Sequence, residues 1–109
     1  MDFDEDLKDN QRFLRETERS IRISNNEVMH QLVDPVTTER MLSFSVAVSK
    51  LRAQYIMAAF KFADAKHPAG AEGNAEIDEL TLARKRFEEA RDAFVALERT
   101  IELGYISVT

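Results

Sequence analysis

The segment from Met41 to Ala63 constrains the fold more than any other part of the chain, because it predicts a helix that is apolar on two faces. Its only charged residues are Lys50, Arg52 and Lys61. One row has the i, i+3, i+4, i+7 spacing of a helix face: Met41, Phe44, Val48, Leu51, Tyr55, Ala58 and Phe62. A second row has the same spacing: Leu42, Val46, Ser49, Ala53, Ile56, Phe60 and Ala63. A helix of this kind has to be covered on more than one side, so the sequence predicts a multi-helix domain.

Proline and glycine divide the chain into three long periodic segments and interrupt none of them. They lie in the two breaks and after the third segment: Pro35; Pro68, Gly70 and Gly73; Gly104. The pattern predicts three helices and a short tail, at about residues 3–32, 35–66, 75–103 and 104–109. At 109 residues we expect one domain, 1–109, folded as an all-α, antiparallel up-down-up bundle with coiled-coil-like packing.

The first helix boundary leaves an alternative open. Asp2 is a suitable N-cap for helix 1. For helix 2, Asp34 as N-cap and Pro35 as the first helical residue are a favourable start, with Thr37 or Thr38 as later alternative caps. The rival interpretation is one continuous helix that is kinked at Pro35.

The second break and the C-terminus carry signals of their own. Residues 67–74 form a small, polar, Gly-containing loop, in which Asn74 is a good cap for helix 3. Gly104 is placed to end helix 3 in the left-handed conformation. The tail, residues 105–109, is apolar and β-prone. It either packs against the end of the bundle or becomes ordered only on binding a partner.

Helices 1 and 3 are predicted to cover the two faces of helix 2. Helix 3 has one large row and one alanine-containing row at heptad spacing: Leu80, Phe87, Phe94 and Ile101; Ala83, Ala90 and Leu97. Small residues allow close approach of helix backbones, so we expect helices 2 and 3 to form the tightest pair. The core stripe of helix 1 repeats every seven residues, at Leu7, Leu14, Ile21 and Val28, beside polar Asn10, Thr17, Ser24 and Gln31. This narrow stripe is predicted to meet the second row of helix 2 without covering all of it.

Surplus apolar surface predicts an interface with a second chain. Phe13 and Ile23 point away from the stripe of helix 1. Together with the second row of helix 2, they form the predicted interface: Phe13, Ile23, Leu42, Val46, Ile56 and Phe60. We expect a homodimer, or binding of a partner protein's helix to this surface.

Composition excludes several classes of function. The chain has no Cys, so disulfides and thiolate metal sites are excluded, and we expect a cytoplasmic location. A net charge of −5 argues against nucleic acid as a partner, because phosphate binding needs clustered excess Lys and Arg. No apolar run approaches the ~18 residues that suggest a membrane span, and the acidic N-terminus does not resemble a signal peptide.

One pair of residues has metal-ligand spacing. Glu27 and His30 stand at i, i+3, as in carboxylate-bridged di-iron bundles. A complete site would need a homodimer to double the pair, together with a further glutamate such as Glu16 or Glu39. A solvated helix end explains both residues better, and His30 also suits the helix dipole. We therefore expect no cofactor.

No Gly-rich phosphate loop and no Ser/His/Asp or Cys/His arrangement occurs in the sequence. Ionisable residues such as Arg84, Glu88 and Asp92 fall on a mixed-sign face of helix 3, where i, i+4 ion pairs are expected. The sequence thus predicts a non-enzymatic helical interaction protein: an adaptor, a scaffold or assembly subunit, or a small chaperone-like module. The alternative is a ligand- or metal-binding helical bundle with its site at a dimer interface.

Overall fold

The computed structural model describes residues 2–65 and 74–109, and it confirms an all-helical chain with three helices. They are α1 (Phe3–Leu32), α2 (Thr38–Asp64) and α3 (Asn74–Glu102). No strand occurs in these residues apart from one isolated bridge. Among the described helices, none has the length and apolarity that a bilayer crossing requires. The predicted loop at 67–74 lies outside the described residues except for the backbone of Asn74, and so does the predicted Asn74 cap.

The chain divides into two compact units. The first consists of Met1–Val36 and Thr100–Thr109, and the second of Thr37–Arg99. The first unit therefore contains α1 and the C-terminal tail. The second contains α2 and all of α3 except its last residues.

In the first unit, α1 is an amphipathic helix without a buried residue. The Asp2 side chain caps it as predicted, since its Oδ1 accepts a hydrogen bond from the backbone N–H of Asp4 at 3.0 Å. The predicted burial of the heptad stripe is wrong: Leu7 is 42% exposed, and the other three members are more exposed. The physical reason is that this unit supplies only a short linker and a ten-residue C-terminal segment beside a thirty-residue helix.

The linker after α1 is extended, and the predicted start of α2 at Pro35 is wrong. The backbone N–H of Val36 donates to the oxygen of Ser107 at 2.8 Å, and the N–H of Thr109 donates to the oxygen of Val36 at 3.0 Å. These bonds form a parallel bridge between Val36 and Val108, which holds residue 36 outside any helix. The kinked continuous helix is therefore wrong as well.

The first turn of α2 is capped by Thr37, one of the two later alternatives. Its Oγ1 accepts a hydrogen bond from the backbone N–H of Arg40 at 3.1 Å. Thr37 itself has extended backbone angles, as an N-cap requires. The helix consequently begins at Thr38, three residues later than the proline signal predicts.

The C-terminal tail is ordered within the first unit, where Val108 forms the bridge with Val36. Gly104 has φ of +74° and ends α3 in the left-handed conformation, as predicted. Its N–H bonds to Ile101 O at 2.9 Å, and that of Tyr105 bonds to Thr100 O at 3.1 Å, which is the Schellman pattern. Beyond this turn, Ile106 is buried.

In the second unit, α2 and α3 pack closely in an antiparallel pair. Three contacts follow the pair, beginning where the start of α2 lies beside the end of α3 and finishing where the end of α2 lies beside the start of α3. They are Phe44–Phe94 (ring centroids 5.3 Å apart), Tyr55–Phe87 (ring centroids 6.0 Å apart) and Lys61–Glu79 (Nζ to Oε2, 2.9 Å). The predicted inner row of α2 and both predicted rows of α3 are buried or half-buried throughout. Val48, Ala58 and Phe87 are the buried residues at the centre of this seam.

A matched pair of valines tests the seam. Val48 on α2 is 6% exposed, whereas Val95 on α3 is 56% exposed. Val48→Ala should destabilise the fold by about 2 kcal/mol, because two buried methyl equivalents are lost and a cavity is left. Val95→Ala should stay within about 0.5 kcal/mol of wild type. Both changes raise helix propensity by the same amount. The difference between the two variants in the free energy of unfolding by urea therefore measures the effect of burial. Equal losses in the two variants would contradict the packing of Val48 in the α2–α3 seam.

A second prediction concerns the glycine that ends α3. A Cβ at Gly104 would meet nothing within 4 Å, so the cost of a side chain there is conformational rather than steric. Gly104→Ala should lower stability by about 1 kcal/mol through the positive φ. Gly104→Asn should recover part of that loss, because Asn tolerates the left-handed region. Thermal unfolding of the three proteins would show this order, and an unchanged Ala variant would contradict it.

Candidate interaction surface on helix α2

The second apolar row of α2 is exposed along its whole length. At 100° per residue it lies roughly 140° around the helix from the row that packs on α3. Its four large side chains are between 49% and 61% exposed: Leu42, Val46, Ile56 and Phe60. The small residues between and beyond them, Ser49, Ala53 and Ala63, are exposed too. We call these seven residues the outer face of α2.

A groove between α2 and α3 extends this apolar surface. Phe60 belongs both to the outer face and to the wall of the groove. Met57 and Leu82 line the same groove and are 66% and 49% exposed, with Ala58 and Ala83 beside them. Met57 and Leu82 are absent from the predicted interface. A plot of every apolar residue of α2 by its angle around the helix would have revealed Met57. Leu82 lies on α3, so it could be assigned to this surface only once the pairing of α2 with α3 was known.

The groove has a charged rim that joins the two helices. The Lys61 Nζ lies 2.9 Å from the Glu79 Oε2, and both side chains are about half exposed or more. The hydrogen bond to Glu79, followed by the charge of Glu79, raises the pKa of Lys61 above its ordinary value. Asp64 and Arg86 also lie on this rim. A partner that enters the groove would therefore meet apolar walls and charges of both signs.

Two arginines turn towards the α2–α3 seam. The Cζ atoms of Arg52 and Arg91 lie 5.2 and 5.4 Å from the centroid of the Phe87 ring. These are cation–π distances, and the arginine stems add apolar cover. The position of Arg52 matters for the outer face, because this charged group is directed at α3. Sequence periodicity did not predict either contact.

The predicted interface residues fall into both units. Leu42, Val46, Ile56 and Phe60 come together on one face of the second unit. Phe13 and Ile23 are exposed on α1 in the first unit. Ile23 lines a shallow depression there, in which the Asn26 Nδ2 donates to the oxygen of Gly104 at 2.9 Å. Contact of any of these residues with a second chain stays a prediction.

The candidate metal ligands stand at the end of α1. The Nδ1 of His30 lies 2.7 Å from the backbone oxygen of Asn26. Since a carbonyl oxygen only accepts, this nitrogen carries the proton and donates. Glu27 lines the same depression as Ile23. Within residues 2–65 and 74–109, no group of three or more His, Cys, Asp or Glu side chains is placed to hold a metal ion.

The mixed-sign face of α3 forms a local ion pair as predicted. The Nη1 of Arg84 lies 2.9 Å from the Oε2 of Glu88 at i, i+4, and Arg91 pairs with the neighbouring Asp92 at 3.1 Å. These charges are solvated and compensate one another. The candidate surface of the second unit is therefore the apolar outer face of α2 with the adjoining groove.

The Lys61–Glu79 pair predicts a pH dependence. A raised pKa in the folded state means that the pair stabilises the fold below the unfolded-state pKa of 10.5 and loses this contribution as pH rises through the folded-state pKa. The stability difference between wild type and Glu79→Gln should therefore shrink above about pH 10.5. In an NMR titration, Glu79→Gln should lower the pKa of Lys61. An unchanged Lys61 titration would contradict the pair.

Comparison with known proteins gives no match. No protein-family model matches the chain, and no curated protein or solved structure is significantly similar to it. The case for a function therefore rests on the residues described above, and above all on the outer face of α2.

Proposed function

We propose that this chain is a non-enzymatic helical interaction protein that uses the outer face of α2 to bind a helix of a second chain. It would act as an adaptor, a scaffold or assembly subunit, or a small chaperone-like module. The observation that carries the proposal is the exposure of Leu42, Val46, Ile56 and Phe60 on a helix whose other apolar row already packs on α3.

The chemistry of the outer face suits a helical partner. Large contiguous apolar patches on a protein surface often mark interaction sites. Here the residues of the outer face keep the heptad spacing of a coiled-coil seam, with Leu42, Ser49, Ile56 and Ala63 in one row and Val46, Ala53 and Phe60 in the other. A partner with the same spacing could contact the face along its length. Met57 and Leu82 add a flexible apolar margin, of the kind that methionine-containing binding surfaces use.

The proposal includes the complete bundle. The exposed stripe of α1 repeats at the same seven-residue spacing as the outer face of α2. We therefore propose α1 as the third member of an antiparallel, up-down-up, coiled-coil-like bundle that leaves part of the outer face of α2 uncovered, and homodimerisation as the means of covering that part. The absence of Cys favours a cytoplasmic setting for such an assembly.

A matched pair of isoleucines tests the function. Ile56 lies on the outer face, and Ile77 is exposed on α3 away from it. Wild type should associate at low micromolar concentration in sedimentation velocity, or bind an apolar dye. Ile56→Glu should lose this property, because a charge would have to be buried at the contact. Ile77→Glu should keep it, and both variants should keep the helical circular dichroism of wild type.

Two outcomes would contradict the proposal. One is a wild-type chain that stays monomeric and binds no apolar dye. The other is equal behaviour of Ile56→Glu and Ile77→Glu, which would assign the association to a different surface.

A further inference from the structure

We infer that the groove between α2 and α3 is a binding site for a small carboxylate with an alkyl chain. Its carboxylate is held at Arg86, and its chain lies against Met57 and Leu82. The site lies wholly within the second unit. It goes beyond the proposed function, which concerns the outer face of α2 and a protein partner, and it does not depend on that function.

The first argument is the size and lining of the groove. Its volume is about 540 Å³, within the ~300–1,000 Å³ that small-molecule sites usually occupy. Met57, Phe60 and Leu82 supply large apolar walls, and Ala58 and Ala83 leave room between them. The three large side chains are exposed. An alkyl chain in the groove therefore removes from water the apolar area that the pairing of α2 with α3 leaves uncovered.

The second argument is the charge at one end of the groove. Arg86 lines this end, and within residues 2–65 and 74–109 it forms no ion pair or hydrogen bond. Gln54 of the facing helix lies at the same level, because the adjacent Tyr55 packs on Phe87, and its amide is a further donor. A guanidinium group presents paired N–H donors that match the two oxygens of a carboxylate. This end of the groove is therefore suited to an anionic head group.

The opposite end of the groove carries the reverse charge. There Lys61 and Glu79 compensate each other at 2.9 Å. Asp64 also lines this end, and in the described part of the chain it forms no ion pair. A carboxylate is repelled by Asp64 and attracted by Arg86, so the charges set the direction of the ligand as well as its sign. From Glu79 to Arg86, α3 rises roughly 10 Å at 1.5 Å per residue, which suits a chain such as that of octanoate.

Octanoate is the probe, and methionine methyl groups report where it binds. Met57 lines the groove, whereas Met41 lies near the start of α2, outside the groove lining. In methyl-selective NMR, octanoate below its micelle concentration should shift the Met57 signal in a saturable manner and leave the Met41 signal unchanged. Acetate, which carries the charge without the chain, should bind at least about tenfold more weakly, because it lacks the apolar contacts.

Matched substitutions test the head group and the chain separately. Arg86→Gln should weaken octanoate binding about fivefold, the upper end for a solvent-accessible charge pair, and leave 1-octanol binding unchanged. Lys50→Gln removes the same charge from an exposed position of α2 outside the groove lining and should affect neither ligand. Leu82→Gln should weaken both ligands. Ile77→Gln, at an exposed position of α3 outside the groove lining, should weaken neither. Circular dichroism checks that each variant keeps its helices.

The outcomes separate this site from the proposed protein interface. A saturable Met57 shift whose affinity falls in Arg86→Gln for octanoate alone supports the site. No saturable shift, or equal octanoate affinity in wild type and Arg86→Gln, overturns it. Octanoate binding that survives Leu82→Gln and is lost in Ile56→Glu would place the ligand on the outer face, which also overturns the groove. If octanoate binds as described to a chain that stays monomeric and binds no apolar dye, the proposed function fails and this site stands.

Discussion

Burial of the inner row of α2 against α3 is the interaction on which the rest of the second unit depends. Phe87 stands at its centre, with the Tyr55 ring against it and the guanidinium groups of Arg52 and Arg91 over it. Helices of this length gain most of their stability from tertiary packing rather than from intrinsic propensity. Because this row packs on α3, the rotation of α2 about its own axis is fixed. Most of the outer face then points away from α3, because both rows belong to one rigid helix, and Phe60 alone of its residues also lines the described groove beside α3.

Under the proposed function, one helix serves two purposes. The row that packs on α3 contains the aromatic residues Phe44, Tyr55 and Phe62, which are suited to a permanent seam. The outer face is mainly aliphatic, with small residues in its middle. Substitutions in the outer face would leave the α2–α3 seam intact, so the proposed binding and the stability of the α2–α3 pair are separable. That separation is what an assembly protein needs if its partners change while its fold does not.

Periodicity predicted most of what is regular in this structure. The two rows of α2, the seam rows of α3, the Asp2 cap and the Gly104 turn all follow from residues within one or two helical turns of each other. Periodicity could not reveal the pairing of Val36 with Val108, because a single bridge between distant residues leaves no repeat. It marked the stripe of α1 as apolar and predicted that this stripe meets the second row of helix 2, but the stripe is exposed. For the candidate surface it predicted the four large residues on α2 and missed Met57 and Leu82, since one lies between rows and the other joins the surface only through the fold of the hairpin.

The bridge between Val36 and Val108 has a consequence for the order of folding. Its two residues are far apart in sequence, and closing so long a loop in a disordered chain is entropically costly. The antiparallel pairing of α2 with α3 removes most of that cost, because the start of one helix and the end of the other then lie side by side. Val36 lies just before α2, and the tail lies just after α3. The α2–α3 pair should therefore form early in folding and the Val36–Val108 bridge late. Order in the C-terminal tail would then indicate that α2 and α3 have already paired.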